Sequence, residues 1–277
     1  MEEIAYAKIN LALHVRERSA DGYHRIETIF AFADDGDRLT AELDDDLTLA
    51  LEGPFARGLS NDEDNLVLRA ATALRDCFAI GAGARLSLDK RLPIASGIGG
   101  GSADAAAALR LLDRLWQCDA GDDTLIEIAV TLGADVPACV RSVAVRGEGR
   151  GDLLIPAGDN DLSGLPLLLV NPLVAVPTGP VFQGWDGVDR GPLAGDVSLA
   201  AAIEGRNDLQ VPANMIAPVI ADILIHLNAS HGLLLARMSG SGATCFGLFE
   251  TDEDRDAAAE AVRKARPDWW QFAGRLR

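Results

Sequence analysis

The sequence predicts an α+β protein of two domains that meet near residue 153. Three observations lead there. Strand-like and helix-like stretches alternate irregularly, with tight turns mixed in, rather than in regular strand–helix–strand repeats. The length of 277 residues lies at the upper edge of what one hydrophobic core supports. After Gly151 the character of the chain changes, and the polar run Gly158–Gly164 reads as a linker or hairpin loop. We therefore divide the chain into 1–153 and 154–277.

Ile4 to Val15 alternates with period two. Ala5, Ala7, Ile9, Leu11, Leu13 and Val15 form one face, and Tyr6, Lys8, Asn10, Ala12 and His14 the other, which predicts a strand with its odd face buried. Asp21-Gly22 is a turn signal, and Tyr23–Ala33 reads as the returning strand. Arg38–Leu43 and Leu47–Leu51 follow as strands. Asp64 or Asn65 caps a helix to about Cys77, with Leu66, Val67, Ala70, Ala71 and Leu74 on its apolar side. Arg85–Leu88 is a short strand.

Pro93–Gly101 is a glycine-rich loop that opens a long alanine/leucine helix, Ser102 to about Trp116. A helix at about Asp123–Leu132 stops at Gly133, and Ser142–Arg146 is the strand that closes this half. In the second half Leu165–Val174 is a buried strand and Pro177–Pro192 is rich in turns. Helices are expected at Val197–Glu204, Pro218–Asn228 and Asp252–Ala265, with strands at Leu233–Arg237, Ala243–Phe249 and from Trp269.

Composition removes several classes of function. The chain is 48% hydrophobic, enough apolar surface to offset chain entropy and to exclude intrinsic disorder. Its net charge of −17 argues against nucleic acid and against an anionic membrane surface, both of which call for a positive field. Much of that charge is regional, crowded between Asp34 and Asp64 in what reads as solvated strands and loops. Four scattered cysteines without metal-ligand spacing make a disulfide framework or zinc site improbable. Met1-Glu2-Glu3 opens without the basic and apolar regions of a secretory signal, so a cytoplasmic setting is expected. Oligomeric state is unknown from the sequence.

The strongest local signal is Pro93-Ile-Ala-Ser-Gly-Ile-Gly-Gly-Gly-Ser-Ala-Asp104. Consecutive glycines let the backbone approach a ligand, and the helix behind them aims free N–H groups and its positive dipole end at the loop, which makes a phosphate cradle. It is neither a Walker A loop, since no lysine follows the last glycine, nor GxGxxG, since Ser102 stands where the third glycine belongs. A flexible turn before a helix is the plainer alternative.

Met238–Phe246 contains a second glycine loop, Ser239-Gly240-Ser241-Gly242, which as a tight hairpin needs no function. Lys8 is either a snorkelling edge residue or a fixed cation beside a reacting phosphate or carboxylate. Asp135 reads as an N-cap or a functional carboxylate. Tyr23, one of two tyrosines, either packs a hairpin or stacks on a planar ligand.

Taken together, these segments resemble the GHMP kinase family. Ala7-Lys8-Ile9-Asn10-Leu11, the Pro93–Ala106 loop and Met238–Phe246 stand in the order of that family's three motifs. Asp21-Gly22-Tyr23-His24, Gly133-Ala134-Asp135-Val136-Pro137, Val176-Pro177-Thr178-Gly179 and Asn207-Asp208-Leu209 extend the likeness along essentially the whole chain. Within the family they point to members whose substrate is a cytidine diphosphate ester. Ile98 in place of leucine, and Ala138-Cys139 in place of bulkier residues, depart from the pattern without removing a chemical group.

The resemblance implies an N-terminal domain like the second domain of a small-subunit ribosomal protein, a ferredoxin-like C-terminal domain, and an active site in the cleft between them. It implies transfer of the ATP γ-phosphoryl group to a hydroxyl of the ester. Asp135 would accept the hydroxyl proton, with Lys8 beside it to stabilise the developing charge. Pro93, Gly97, Gly99, Gly100, Gly101, Ser102 and Ala103 would hold ATP, with Asn65 near the adenine. Tyr23 and Phe182 would sandwich the cytosine, His24 would hydrogen-bond it, and Asn10 and Thr178 would position the substrate.

Mg²⁺ is expected with ATP; its protein ligands are unknown, with Ser102 and Asp104 as candidates. A homoserine or mevalonate-pathway type of GHMP kinase is the nearest alternative, and the Asp-Gly-Tyr-His run argues against it. A non-catalytic ligand-binding member is another, and retention of Lys8 and Asp135 argues against that. Since a protein of charge −17 would bind two anionic ligands, affinity must rest on a few fixed local donors.

Overall fold

The computed structural model describes every residue except Asp21 and Asp159, so the Asp21 half of the expected turn and one residue of the expected linker lie outside the described residues. Along the chain the elements are β1 (Glu2–Arg18), β2 (His24–Asp44), β3 (Leu47–Glu52), α1 (Leu66–Cys77), β4 (Gly83–Asp89), α2 (Gly100–Trp116), α3 (Gly121–Leu132), α4 (Val136–Arg141), β5 (Val145–Glu148) and β6 (Leu153–Pro156). There follow β7 (Pro166–Asn171), α5 (Thr178–Gln183), α6 (Leu199–Glu204), α7 (Gln210–Ile216), α8 (Val219–Asn228), β8 (Leu233–Met238), β9 (Cys245–Phe249), α9 (Asp252–Ala265) and β10 (Trp270–Arg275). The content is mixed α+β, in two compact units. One holds Met1–Ala7, Asp35–Ile94 and Gly99–Ser142, the other Lys8–Asp34, Ala95–Ile98 and Val143–Arg277.

In the first unit β4 pairs antiparallel with the Arg38–Asp44 half of β2 and parallel with β3. Parallel neighbours need a crossover, and α1 supplies it. Ala84, Leu86 and Leu88 of β4 are buried while Arg85 points to solvent, the alternation of a strand covered on one face. Helix α2 is buried on nearly every side from Ala103 to Leu109, which its run of alanines permits. Burying Leu109, Leu111 and Leu112 stabilises this unit by roughly 1.5–3 kcal/mol each.

In the second unit β7, β8, β9 and β10 form an antiparallel sheet of order β10-β7-β9-β8. With α8 between β7 and β8, and α9 between β9 and β10, this is the split βαβ arrangement of a ferredoxin-like domain. Every residue of β7 is buried, as expected of a central strand covered on both faces. Leu13, Val15 and Ile26 join Leu168, Val170, Ile220 and Phe249 in its core. The Thr28–Phe30 part of β2 pairs with β5, which pairs with β6.

Three differences from the sequence reading have physical reasons. β2 runs unbroken where two strands were expected across Asp34–Asp37. Gly36 permits this, because a Cβ there would fall 1.9 Å from the Ala5 carbonyl oxygen of the neighbouring chain segment. Second, β1 is buried on both faces from Ala7 to Val15, so its polar face is buried rather than solvated. Third, α2 begins at Gly100, two residues before Ser102, because Gly99 takes the left-handed conformation that lets the chain turn into the helix. Strand β6 and the short helices α5 and α7 carry no periodicity long enough to be read in advance.

Candidate active site

Lys8 and Asn10 lie in the buried part of β1, 3% and 2% exposed, which removes the snorkelling-edge alternative for Lys8. The Lys8 ammonium donates to Asn10 Oδ1 at 2.9 Å and stands 4.8 Å from the centre of the Phe30 ring. Asn10 Nδ2 donates to Thr28 Oγ1 (2.8 Å), whose hydroxyl donates to the Ala12 carbonyl (2.6 Å). Both ends of the Asn10 amide are therefore committed, and it serves as a fixed acceptor that orients the lysine.

The segment Ala95–Ile98 of the first glycine loop is fastened in the same unit. The Lys8 backbone N–H donates to Ile98 O, and Thr244 N–H to Ser96 O. Ser239 Oγ donates to Gly97 O at 2.9 Å and accepts from the Asn10 N–H at 3.0 Å. One buried hydroxyl thus joins all three motifs. A Cβ on Gly97 would meet Ser239 O at 2.5 Å, and one on Gly240 would meet Gly97 O at 2.9 Å. Both positions have positive φ, so glycine is required there twice over.

Asn207 holds the second glycine loop, Met238–Gly242, from below, donating to Met238 O and Gly240 O at 2.7 and 2.8 Å. Asn171 Nδ2 donates to Thr244 Oγ1. Thr178 is exposed, with its hydroxyl 3.0 Å from Ser241 Oγ.

The other part of the glycine run, Gly99–Ala103, belongs to the first unit and starts α2. The Ala103 N–H donates to Gly99 O, and the N–H groups before it have no acceptor within a helix, so they remain available to an anion. Gly101 is exposed; Gly99, Gly100 and Ser102 are half-buried; Pro93 is buried. Asn65 caps α1 by accepting from the Val67 N–H (2.9 Å), while its Nδ2 donates to Ser60 O (2.6 Å). Asp135 stands just before α4 but makes no capping hydrogen bond with its side chain. The N-cap alternative therefore fails, and its carboxylate is half-buried.

Below the start of α2 lies a cluster that the sequence reading missed. Lys90 Nζ donates to Asp37 Oδ2 and to Asp104 Oδ2, both at 2.5 Å. All three side chains are buried. Asp37 Oδ1 also accepts from the backbone N–H groups of Arg91 (2.5 Å) and Leu92 (2.8 Å). Burial alone would lower the Lys90 pKa, but the Asp104 and Asp37 carboxylates outweigh it and hold the ammonium above its ordinary value. Burial pushes the Asp104 carboxyl up to about 7, with Lys90 pulling the other way.

The Asp34–Asp64 stretch is therefore not wholly solvated, since Asp37 is fully buried. Nothing in the spacing of Asp89-Lys90-Arg91 marks the middle residue as buried. Asp104, offered as a Mg²⁺ ligand, turns inward to Lys90, although its Oδ1 is buried with no hydrogen-bond partner.

Around His24 the second unit gathers aromatics. The His24 ring lies 5.1 Å from Phe182, tilted, and 5.8 Å from Trp185, edge-on. Burial, helped by Arg18, lowers the His24 pKa, so the ring is neutral and offers both a donor and an acceptor at neutral pH. Tyr23 is 57% exposed, with the Arg150 guanidinium 4.9 Å from its ring centre, so the ring is not packed into a hairpin. Trp185, which the sequence reading passed over, sits three residues after Phe182.

Among the described residues, no three or more His, Cys, Asp or Glu side chains gather as a metal cage. No helix among the described residues is long and apolar enough to cross a membrane.

A model of the GHMP kinases N terminal domain matches residues 65–142, and one of the GHMP kinases C terminal domain matches residues 193–268. The chain is 61% identical to a 4-diphosphocytidyl-2-C-methyl-D-erythritol kinase of Rhizorhabdus wittichii, over 99% of this chain and 94% of that protein. It is 52% identical to the protein of the same name from Sphingopyxis alaskensis, over 100% and 99%. Among solved structures it is similar to a 4-(cytidine 5′-diphospho)-2C-methyl-D-erythritol kinase, with a TM-score of 0.82 and 34% identity over 100% of this chain and 99% of that one.

Proposed function

The chain belongs to the GHMP kinase family, and from that premise we infer its reaction. It is a kinase that transfers the γ-phosphoryl group of ATP to the 2-hydroxyl of 4-(cytidine 5′-diphospho)-2-C-methyl-D-erythritol. The products are the 2-phosphate and ADP, a step of the non-mevalonate route to isoprenoid precursors. The observation that carries this reading is the 61% identity, along nearly the whole chain, to a kinase of that name. A cytoplasmic setting, where ATP is supplied, completes it. The family models fall on either side of residue 153, which supports a division into 1–153 and 154–277.

Phosphoryl transfer asks for alignment and charge neutralisation more than covalent help. Asp135, half-buried just before α4, accepts the proton of the attacking hydroxyl. Lys8, oriented by Asn10, stabilises the developing alkoxide and the transferring phosphoryl charge. The free N–H groups of α2 and the glycine run hold the ATP phosphates. Mg²⁺, when bound with ATP, neutralises phosphate charge. Asn65 lies at the adenine side. Tyr23 and Phe182 hold the cytosine between their rings while His24, neutral and buried, hydrogen-bonds its edge. Asn10, through the second N–H of its amide, and Thr178 position the rest of the ester, and Ser239-Gly240-Ser241-Gly242 supports the first loop.

An assay of ATP consumption against the cytidine-diphospho ester, mevalonate, homoserine and galactose tests the assignment. Turnover with the cytidine compound alone is expected. Turnover with one of the others instead would overturn the substrate and leave the kinase family standing.

A further inference from the structure

The cluster of Lys90, Asp37 and Asp104 has no part in the chemistry described above, yet it ties together both ends of the phosphate loop. Asp37 takes the backbone N–H groups of Arg91 and Leu92, the two residues that lead into Pro93. Asp104 belongs to the second turn of α2, whose first N–H groups face the loop. One buried ammonium bridges the two carboxylates at 2.5 Å each. The backbone of Lys90 is itself pinned, its N–H donating to Glu52 O and its carbonyl accepting from the Phe55 N–H.

The cluster also lies tight against one of the three consecutive glycines. A Cβ on Gly100 would lie 3.0 Å from Lys90 Nζ and 3.9 Å from Asp37 Oδ2, so the first residue of α2 rests directly on the charge cluster. Gly97, by contrast, is glycine because backbone crowds it. Asp104 Oδ1, buried with no hydrogen-bond partner, adds that the carboxylate is held for its bond to Lys90 rather than for general polar satisfaction.

We propose that Lys90, Asp37 and Asp104 are positioning residues for the nucleotide, which set the distance between the loop entry at Arg91–Leu92 and the N-terminus of α2 without touching ATP. The inference rests on the reading of the glycine run as the ATP-phosphate cradle. A cradle of backbone N–H groups holds phosphate only while those groups stay within tenths of an ångström of their places, and a shift of about 1 Å costs up to about a hundredfold. Within this unit, three buried side chains on three separate segments tie the loop entry to the helix start.

The test uses the full chain with Asp104→Asn, which keeps shape and one acceptor oxygen, and Lys90→Met, which removes the bridge. Steady-state kinetics with ATP and the cytidine-diphospho ester are read beside nucleotide binding followed calorimetrically. For Asp104→Asn we expect KM for ATP to rise about tenfold or more, with KM for the ester within about twofold of wild type. Lys90→Met should show the same split, and adding Asp37→Asn and Asp104→Asn to it should recover thermal stability without recovering ATP affinity.

Unchanged KM for ATP in Asp104→Asn overturns the proposal. So does equal loss for both substrates, or recovery of ATP affinity together with stability in the triple variant, since each means that the cluster only holds the fold. If Lys90→Met fails to fold, Asp104→Asn alone decides. A wild-type chain that binds no ATP would instead remove the cradle reading beneath the proposal.

Discussion

The start of α2 and the second glycine loop are fixed by opposite chemistry. Around Gly99–Ala103 the supports are ionic and dry: one ammonium and two carboxylates, all buried. Around Met238–Gly242 they are neutral: the Ser239 and Thr244 hydroxyls and the Asn10, Asn171 and Asn207 amides, spent on backbone groups, on one another or on Lys8. The contrast teaches what each loop can tolerate. A neutral hydrogen bond contributes about 0.5–1.5 kcal/mol net and does not respond to pH near neutrality. A buried ion pair contributes little net stability when intact, yet costs about 3–5 kcal/mol when one partner is removed and its mate is left charged.

The comparison breaks first if charge in the first unit serves chemistry and structure through the same groups. Asp135→Asn should abolish turnover while the melting temperature and nucleotide binding stay near wild type, as turnover assays and calorimetry would register. A variant that keeps robust kinase activity would remove Asp135 from the role of base. Next in size, Lys90→Met should destabilise the fold by about 3–5 kcal/mol in urea unfolding. A cost below about 1 kcal/mol would mean that the buried carboxylates protonate or hydrate at little expense.

In the neutral region, Asn207→Ala leaves the carbonyls of Met238 and Gly240 and the N–H of Leu209 without their partner. The expected loss is about 1–3 kcal/mol, the same at pH 6 as at pH 8. A pH-dependent loss would show that the second loop also leans on charge.

Smallest is the pH slope. Asp104 is raised from 3.8 to about 7 in the folded chain, so between those values the folded state holds a proton that the unfolded chain has released. Stability from this group therefore falls as pH rises from about 4 to about 7 and levels off above. His14 and His24, both lowered mainly by burial, slope the other way near their own titrations. The difference between wild type and Asp104→Asn, measured as melting temperature across that range, isolates the Asp104 contribution. Parallel profiles would contradict it.

Legibility in the sequence followed the same divide. Local patterns marked the helix behind Asn65, the glycine-rich start of α2 and the strands of the ferredoxin-like half, because each depends on neighbours in the chain. The merger of two expected strands into β2 was hidden, because it depends on Gly36 accommodating the Ala5 carbonyl from far along the sequence. The polar face of β1 was legible as polar but not as buried. Asp37 was lost in an acidic stretch, since burial of a carboxylate is decided by Lys90, 53 residues away. Motif order pointed to Lys8, Asp135 and the loops; tertiary charge pairing left no period to read.

The chemistry turns on transfer to one hydroxyl of one ester. Incubating the full chain with ATP, Mg²⁺ and 4-(cytidine 5′-diphospho)-2-C-methyl-D-erythritol, and following the mixture by phosphorus NMR, tests it directly. ADP and one new phosphomonoester are expected in equal amounts, with coupling that places the phosphate on the 2-hydroxyl and leaves the diphosphate intact. ATP loss without a phosphomonoester, or an ester on another hydroxyl, would contradict it.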